Sequence, residues 1–400
     1  MIATNSAGFL IYEGVMPLLK TYIAIFIGYI VARTGLFPPA ASRSSSQLTM
    51  NVALPCLIFS NIVPAFTPSN ISAIGPLMLL AVIYILVGFA SGLIIREICF
   101  VPRNFWQGII IAAGMSNWGN LPTSVVQSVT AHAPFNGTTD VELGVSFVSI
   151  FIMVYHIFFW VFGAAASLQW DFLPDVPQGE EAMRRVKWNE KPIGGFLYRW
   201  LYQQTQEEER RLKSAAFFGK MKGFIGNKEN LGSKSLIQPL KALFTDATAS
   251  GGPDWTGPDG SPPLNFIMDT ATFVGGLCIP LSLIILGASF ARMSIPKRLS
   301  TLPIPAMIMV TLSKEVLVPV VGIFLTQTFV NKGLIPKDNL AQRFVAIFLS
   351  GTPTAVKKLV VANLYAPEGG MDTLTAFLVV EYTFMFISST ALTAVALLLL

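Results

Sequence analysis

The chain has 400 residues, of which 53% are hydrophobic and 12% charged, with a mean hydropathy of +0.61. A soluble domain carries about 25% charged residues, so the composition excludes an ordinary soluble protein and points to an all-α polytopic membrane protein. The net charge of +5 reads as basic loops at a membrane face, with no nucleic-acid partner implied. Cys56, Cys99 and Cys278 show no CxxC spacing, and His132 and His156 are far apart, so neither a metal site nor a cofactor is expected.

A helical span needs roughly 20 mostly apolar residues. Nine segments meet that need, at about 12–36, 46–66, 71–95, 106–129, 143–169, 265–291, 303–330, 342–364 and 373–400. The first is long enough to remain as a membrane helix rather than a cleaved leader. Between the fifth and sixth, residues 170–264 hold 13 of the 27 Lys and Arg and 12 of the 22 Asp and Glu. This stretch is expected to be a cytoplasmic loop, partly disordered. The organisation predicted is a first membrane repeat at 1–169, the loop at 170–264 and a second repeat at 265–400.

Arg33 and Arg43 follow the first span, and Arg96 and Arg103 the third, whereas the loops after spans two and four hold no Lys or Arg. By the positive-inside rule the N-terminus faces out and the long loop faces the cytoplasm. The sequons at Asn70 and Asn136 fall in loops assigned outside. The second half conflicts with this count, because Arg292, Lys297 and Arg298 then fall outside. One further crossing within 170–264 removes the conflict. Its only weakly apolar pieces, Ala215–Ile225 and Leu236–Phe244, are short for a span.

Two breaks in apolar spans carry the functional signal. One is Ser116-Asn117-Trp118-Gly119-Asn120-Leu121-Pro122-Thr123, the other Ser350-Gly351-Thr352-Pro353-Thr354-Ala355-Val356. Both contain Pro-Thr-small-Val, and each half also has an earlier proline-interrupted span, at Asn51/Pro55 and at Pro280. Matched interruptions in the two halves are the pattern of an inverted repeat whose broken helices meet at a substrate site. Backbone unwound at that depth must line a cavity or lie buried in protein. Two half-helix N-termini supply partial positive charge and free N–H donors, which suit an anion.

The expected substrate contacts are Asn51, Asn117, Asn120, Pro122, Thr123, Thr352, Pro353 and Thr354, none of them charged, together with Lys357, placed to neutralise a substrate carboxylate. Glu13, Lys20, Asp269, Lys314, Glu315 and Glu381 are the other charges in or beside spans, and such charges are functional candidates by default. Asp269 and Glu381 are candidate proton carriers. Lys314–Glu315 reads equally as a structural pair, and His156 as a packing residue. No Ser/His, paired-Asp or His-metal constellation for an intramembrane enzyme is present.

In this order, Leu54-Pro55, Ser116–Pro122, Gly276–Gly287 around Pro280, Thr352–Val356 and Ser388-Ser389-Thr390-Ala391-Leu392-Thr393-Ala394 give the chain its resemblance to the auxin efflux carrier (PIN-like) family, in its fungal branch. The resemblance covers about 10–170 and 265–400. It implies ten helices in two five-helix inverted repeats, a scaffold domain and a mobile transport domain, and elevator-like movement of organic anions, indole-3-acetate being the type case. It also implies a homodimer in the lipid bilayer of the endoplasmic reticulum or plasma membrane. The chain departs from that pattern twice. No sixth helix is recognisable, and Lys357 stands where a polar uncharged residue is expected. A sodium- or proton-coupled antiporter on a similar fold and a non-transporting sensor or scaffold are the alternative readings.

Overall fold

The computed structural model describes residues 7–65, 71–204, 257, 260–292, 302–365 and 372–400. Every regular element among them is helical. The first half contains α1 (Ala7–Arg33), α2 (Pro39–Leu48), α3 (Leu54–Ala65), α4 (Ile71–Ile98), α5 (Trp106–Gly114), α6 (Asn120–Thr130) and α7 (Thr139–His156). Two single turns, α8 (Ala164–Ser167) and α9 (Gly179–Ala182), lead to α10 (Pro192–Gln204). The second half contains α11 (Asn265–Gly275), α12 (Cys278–Arg292), α13 (Ile304–Leu312), α14 (Val318–Asn331), α15 (Leu340–Phe348), α16 (Lys357–Tyr365) and α17 (Asp372–Leu399). Among the described residues, five helical segments are long and apolar enough to cross a membrane: Ser72–Ile98, Thr139–Val161, Asn265–Arg292, Ile304–Asn331 and Thr373–Leu399. The chain is an all-α polytopic membrane protein. Residues 205–256, which hold both apolar pieces weighed for a sixth crossing, lie outside the described residues.

Proline chemistry shapes the kinked spans. α2 joins α3 through a π-helical turn at Thr49–Ala53, and Pro55 follows at the second residue of α3. α13 joins α14 through the same kind of turn at Ser313–Leu317, with Pro319 next. Proline cannot donate to the helical ladder, and a one-turn bulge absorbs the missing bond. The end of α7 is also a π-helical turn, and it stops at Gly163, whose φ of 78° is in the left-handed region that glycine enters freely. Asp171 closes the N-terminal end of α5 by accepting the amides of Gln107 (2.9 Å) and Gly108 (2.6 Å), while burial pushes its carboxyl up to about 7.

Helices approach closely where small residues allow it. α1 crosses α12 at Gly28 and Gly287. A first side-chain carbon at Gly28 would collide with the Ile284 carbonyl, and one at Gly287 with the Ile25 carbonyl. The backbones therefore touch directly, the packing mode that replaces hydrophobic driving force between helices in lipid. Two apolar cores form around the broken spans. One gathers α4, α6, α7, α14 and α15, with Trp118 set edge-on to Phe151 at 5.1 Å. The other gathers α5, α12, α13, α16 and α17 around Phe377, Tyr382 and Met385.

Gly287→Ala is expected to cost about 1–3 kcal/mol through forced overpacking, visible as a lowered melting temperature in detergent. Gly75→Ala, where nothing lies within 4 Å, should leave the melting temperature no lower than wild type, since alanine favours the helix.

Candidate functional site at the helix crossing

The two breaks lie against each other as extended backbone. Met115–Gly119 separates α5 from α6, and after a 3-10 turn at Leu349–Gly351, Thr352–Val356 separates α15 from α16. Ser116 and Thr354 form an antiparallel bridge. Asn117 N–H donates to the Pro353 carbonyl at 2.7 Å, and Ala355 N–H to the Met115 carbonyl at 3.3 Å. Each break thus satisfies backbone groups that the other left open, as a water-poor site demands. Pro353 gives up no bond here, since only its carbonyl is used. Pro122 sits in the first turn of α6, where its missing N–H costs nothing.

The C-terminal ends of the two half-helices are closed differently. The α5 carbonyls are taken one by one from the second half of the chain. Lys358 Nζ reaches Ile111, Thr354 Oγ1 reaches Ala112 (2.7 Å), and Lys314 Nζ reaches Ala113 (3.3 Å) and the Ser116 hydroxyl (2.8 Å). Two ammonium groups therefore meet the negative end of a helix dipole. The end of α15 is closed by neutral donors. Tyr84 OH reaches Ala346 (3.1 Å), the Ser350 hydroxyl reaches Ile347 (2.6 Å), and Trp118 Nε1–H reaches Leu349 (2.8 Å).

Behind the crossing, the wholly buried Glu381 of α17 accepts Thr354 N–H at 2.6 Å and lies 3.0 Å from the Thr354 hydroxyl. Its neighbour Tyr382 donates to the Thr354 carbonyl (3.3 Å) and accepts from the Asn117 amide (3.0 Å). In front lies a cavity of about 290 Å³ between the crossing and α1, α12 and Gly276 just before it. Asn117, Gly119, Ser124 and Lys357 line one side, and Thr21, Ala24, Pro280 and Ser282 the other. The Lys357 ammonium lies 3.4 Å from His156 Nε2 and 5.5 Å from the centre of the Tyr155 ring. His156 Nδ1 is 2.7 Å from the Ile152 carbonyl. That bond assigns the proton to Nδ1 and leaves Nε2 as the acceptor for Lys357.

Of the residues singled out from sequence, Asn117, Pro353, Thr354 and Lys357 come together at the crossing. Thr123 folds its hydroxyl back to the Gly119 carbonyl (3.1 Å), and Thr352 to that of Leu349 (3.4 Å). Asn120 opens α6, and its side chain lies outside what is described. Asn51 is exposed within the first π-helical turn, away from the crossing. Asp269 is exposed and accepts from Asn265 at 2.9 Å. Lys314 and Glu315 are not a pair. Lys314 turns to Ser116 while Glu315 accepts the Ser388 hydroxyl at 2.5 Å, and among the described residues the ion pair within 4.0 Å is Arg96–Glu97. The π-helical turn that contains both residues lets adjacent side chains diverge. Tyr84, Trp118 and Tyr382 were not foreseen, because an aromatic in an apolar span gives no sign of where its polar tip bonds.

A model of the family described as Membrane transport protein matches residues 13–185. Over those residues, less than half of the chain, the sequence is similar to that family. This is the auxin efflux carrier type of the opening resemblance. Protein PIN-LIKES 6 of Arabidopsis thaliana is 24% identical over 371 residues, 88% of this chain and 85% of its own length. Two Saccharomyces cerevisiae proteins are similar over shorter stretches. Uncharacterized transporter YLR152C is 29% identical over 42% of this chain, and Protein ECM3 is 31% identical over 40%. These matches span 29% and 26% of the yeast proteins' own length.

Thr354→Val leaves the Ala112 carbonyl and a Glu381 oxygen without their hydroxyl partner. It is expected to cost about 1–3 kcal/mol, read as a lowered melting temperature. Thr123→Val removes only a bond internal to α6 and should cost clearly less.

Proposed function

We propose that the chain is a secondary carrier of small organic anions, built from two antiparallel repeats, with its substrate held in the 290 Å³ cavity. The observation that carries this reading is one cation, Lys357, at the wall of a pocket otherwise lined by neutral polar and apolar groups. A single ammonium matches a single carboxylate. The surrounding amide, hydroxyl and backbone donors orient it without demanding a further buried charge. The pocket volume suits a small ring-bearing carboxylate of the auxin type. The pocket lies between the crossing and the α1–α12 pair, so a sliding of one against the other moves it across the membrane, in the elevator manner. The transporter name of the yeast relative YLR152C points the same way.

The test is current and flux in proteoliposomes across a panel of organic monocarboxylates, indole-3-acetate included. A saturable current is expected. Lys357→Gln should raise KM about tenfold or more, since a buried charge-assisted contact is worth roughly 1.5–3 kcal/mol. Pro353→Ala should abolish transport by a protein that still inserts and elutes as wild type. Normal flux from both variants would sink the proposal.

A proton-coupled exchanger is the second reading, and Glu381 favours it. The Thr354 hydroxyl has one hydrogen and two oxygen neighbours, the Ala112 carbonyl at 2.7 Å and Glu381 Oε1 at 3.0 Å. A proton on Glu381 satisfies both contacts; an ionised Glu381 leaves one of them unmet. Sodium is disfavoured as the coupling ion, because the helix ends and carbonyls that hold sodium in such folds are taken by Lys314, Lys358, Trp118 and Tyr84. On this reading wild-type flux follows an imposed pH gradient and ignores replacement of sodium by choline. Glu381→Gln, a permanent mimic of the protonated acid, transports without responding to the gradient. A wild type indifferent to pH removes the second reading and leaves the first intact.

A further inference from the structure

α10 has an apolar face that nothing in the described chain covers. Its sequence, Pro192-Ile193-Gly194-Gly195-Phe196-Leu197-Tyr198-Arg199-Trp200-Leu201-Tyr202-Gln203-Gln204, places Ile193, Phe196, Leu197 and Trp200 at the i, i+3, i+4 and i+7 positions of one helical face. These four are 38%, 62%, 37% and 48% exposed. The helix is held from the other side through its glycines. Gly194 and Gly195 are buried, and a first side-chain carbon at Gly194 would collide with the Trp188 carbonyl.

The helix is also fastened to one end of a membrane span. Lys191 Nζ donates to the carbonyls of Arg96 (2.7 Å), Glu97 (2.8 Å) and Cys99 (2.6 Å), which closes the C-terminal end of α4. Glu97 in turn accepts the amides of Ile193 (3.4 Å) and Gly194 (3.1 Å) in the first turn of α10, and pairs with Arg96 at 2.9 Å. The two helix ends are thus clamped by one Lys–Glu exchange. α4 keeps Ile94 and Ile98 exposed up to that junction, at 58% and 63%. The apolar surface of the span therefore runs up to the first turn of α10.

We infer that α10 lies in the plane of the membrane surface, with Phe196 and Trp200 buried at the boundary between headgroups and acyl chains. Its 13 residues fall well short of the roughly 20 needed to span. A short helix with an aromatic-rich face beside a span end fits the interface. Hydrophobic burial drives the docking. Glu180, Glu181 and Glu190 offset Arg184, Arg185, Lys187 and Lys191 in the preceding segment, so attraction to anionic headgroups is not required. The partner is a bilayer of ordinary zwitterionic lipid.

The full chain in phosphatidylcholine nanodiscs tests this. Bimane on single cysteines at 196, 200 and 187, in a background without Cys56, Cys99 and Cys278, is exposed to lipid-borne nitroxide and to aqueous iodide. Positions 196 and 200 should be quenched several-fold more by the lipid probe than position 187, and iodide should show the reverse order. Positions 196 and 200 open to iodide would overturn the inference, and so would shielding from both quenchers, which would mean that protein covers the face. If the cysteine-free chain does not fold, brominated-lipid quenching of the Trp200 component gives the same reading with all cysteines kept, from wild type minus Trp200→Phe.

Discussion

The constraint on which the rest of the structure depends is that unwound backbone inside a bilayer must find partners within the protein. Met115–Gly119 and Thr352–Val356 meet it for one another through the Asn117–Pro353 and Ala355–Met115 bonds. Neither break is affordable alone. This reciprocity accounts for several features at once: a helix interrupted in each half, prolines placed where no N–H is missed, and a polar spot in an apolar protein without a charged residue in either break.

The two helix ends beside the crossing differ in the groups that close them. α5 ends on Lys314 and Lys358, whereas α15 ends on tyrosine, serine and tryptophan donors. With Lys357 at the cavity wall, three lysines and the carboxyl groups of Glu315 and Glu381 gather around the crossing. On the proposed reading an anion in the cavity balances this surplus of basic side chains, in a region of low dielectric where charge is strongly felt.

Much of this was legible in the sequence, for reasons that can be named. Apolar runs mark spans because lipid imposes length, and Gly/Pro pairs mark breaks because they cannot hold a helical ladder. The breaks at Pro122 and Pro353 and the interruption beside Pro55 follow from that chemistry; the π-helical turn at Ser313–Leu317 was not foreseen. Intramembrane charge pointed to Glu381, Lys314 and Lys357 as residues with work to do. Their partners were hidden, because the partners lie 27 to 201 residues away along the chain. Asn51 shows the opposite error. Its polarity beside a proline resembles a site, but within a turn that buries Thr49 and Ala53 it is Asn51 that is exposed, and only three-dimensional packing decides which way a kinked helix presents its polar residue. Lys314 and Glu315 show another, since sequence neighbours of opposite charge suggest a pair, yet the π-helical turn sends them to Ser116 and Ser388.

The α1–α12 contact gives the proposed cycle a mechanical basis. Gly28 and Gly287 bring two backbones together, so this pair has few side chains able to rearrange and behaves as a rigid post. The cavity wall opposite is different in kind. Thr21 and Ala24 of α1 line it with small side chains, while Ile279, Pro280 and Leu283 of α12 add apolar bulk around Ser282. Close packing within the pair and the lining of the cavity are therefore separable properties of the same two helices: the first is set by glycines turned inward, the second by the side chains turned toward the cavity.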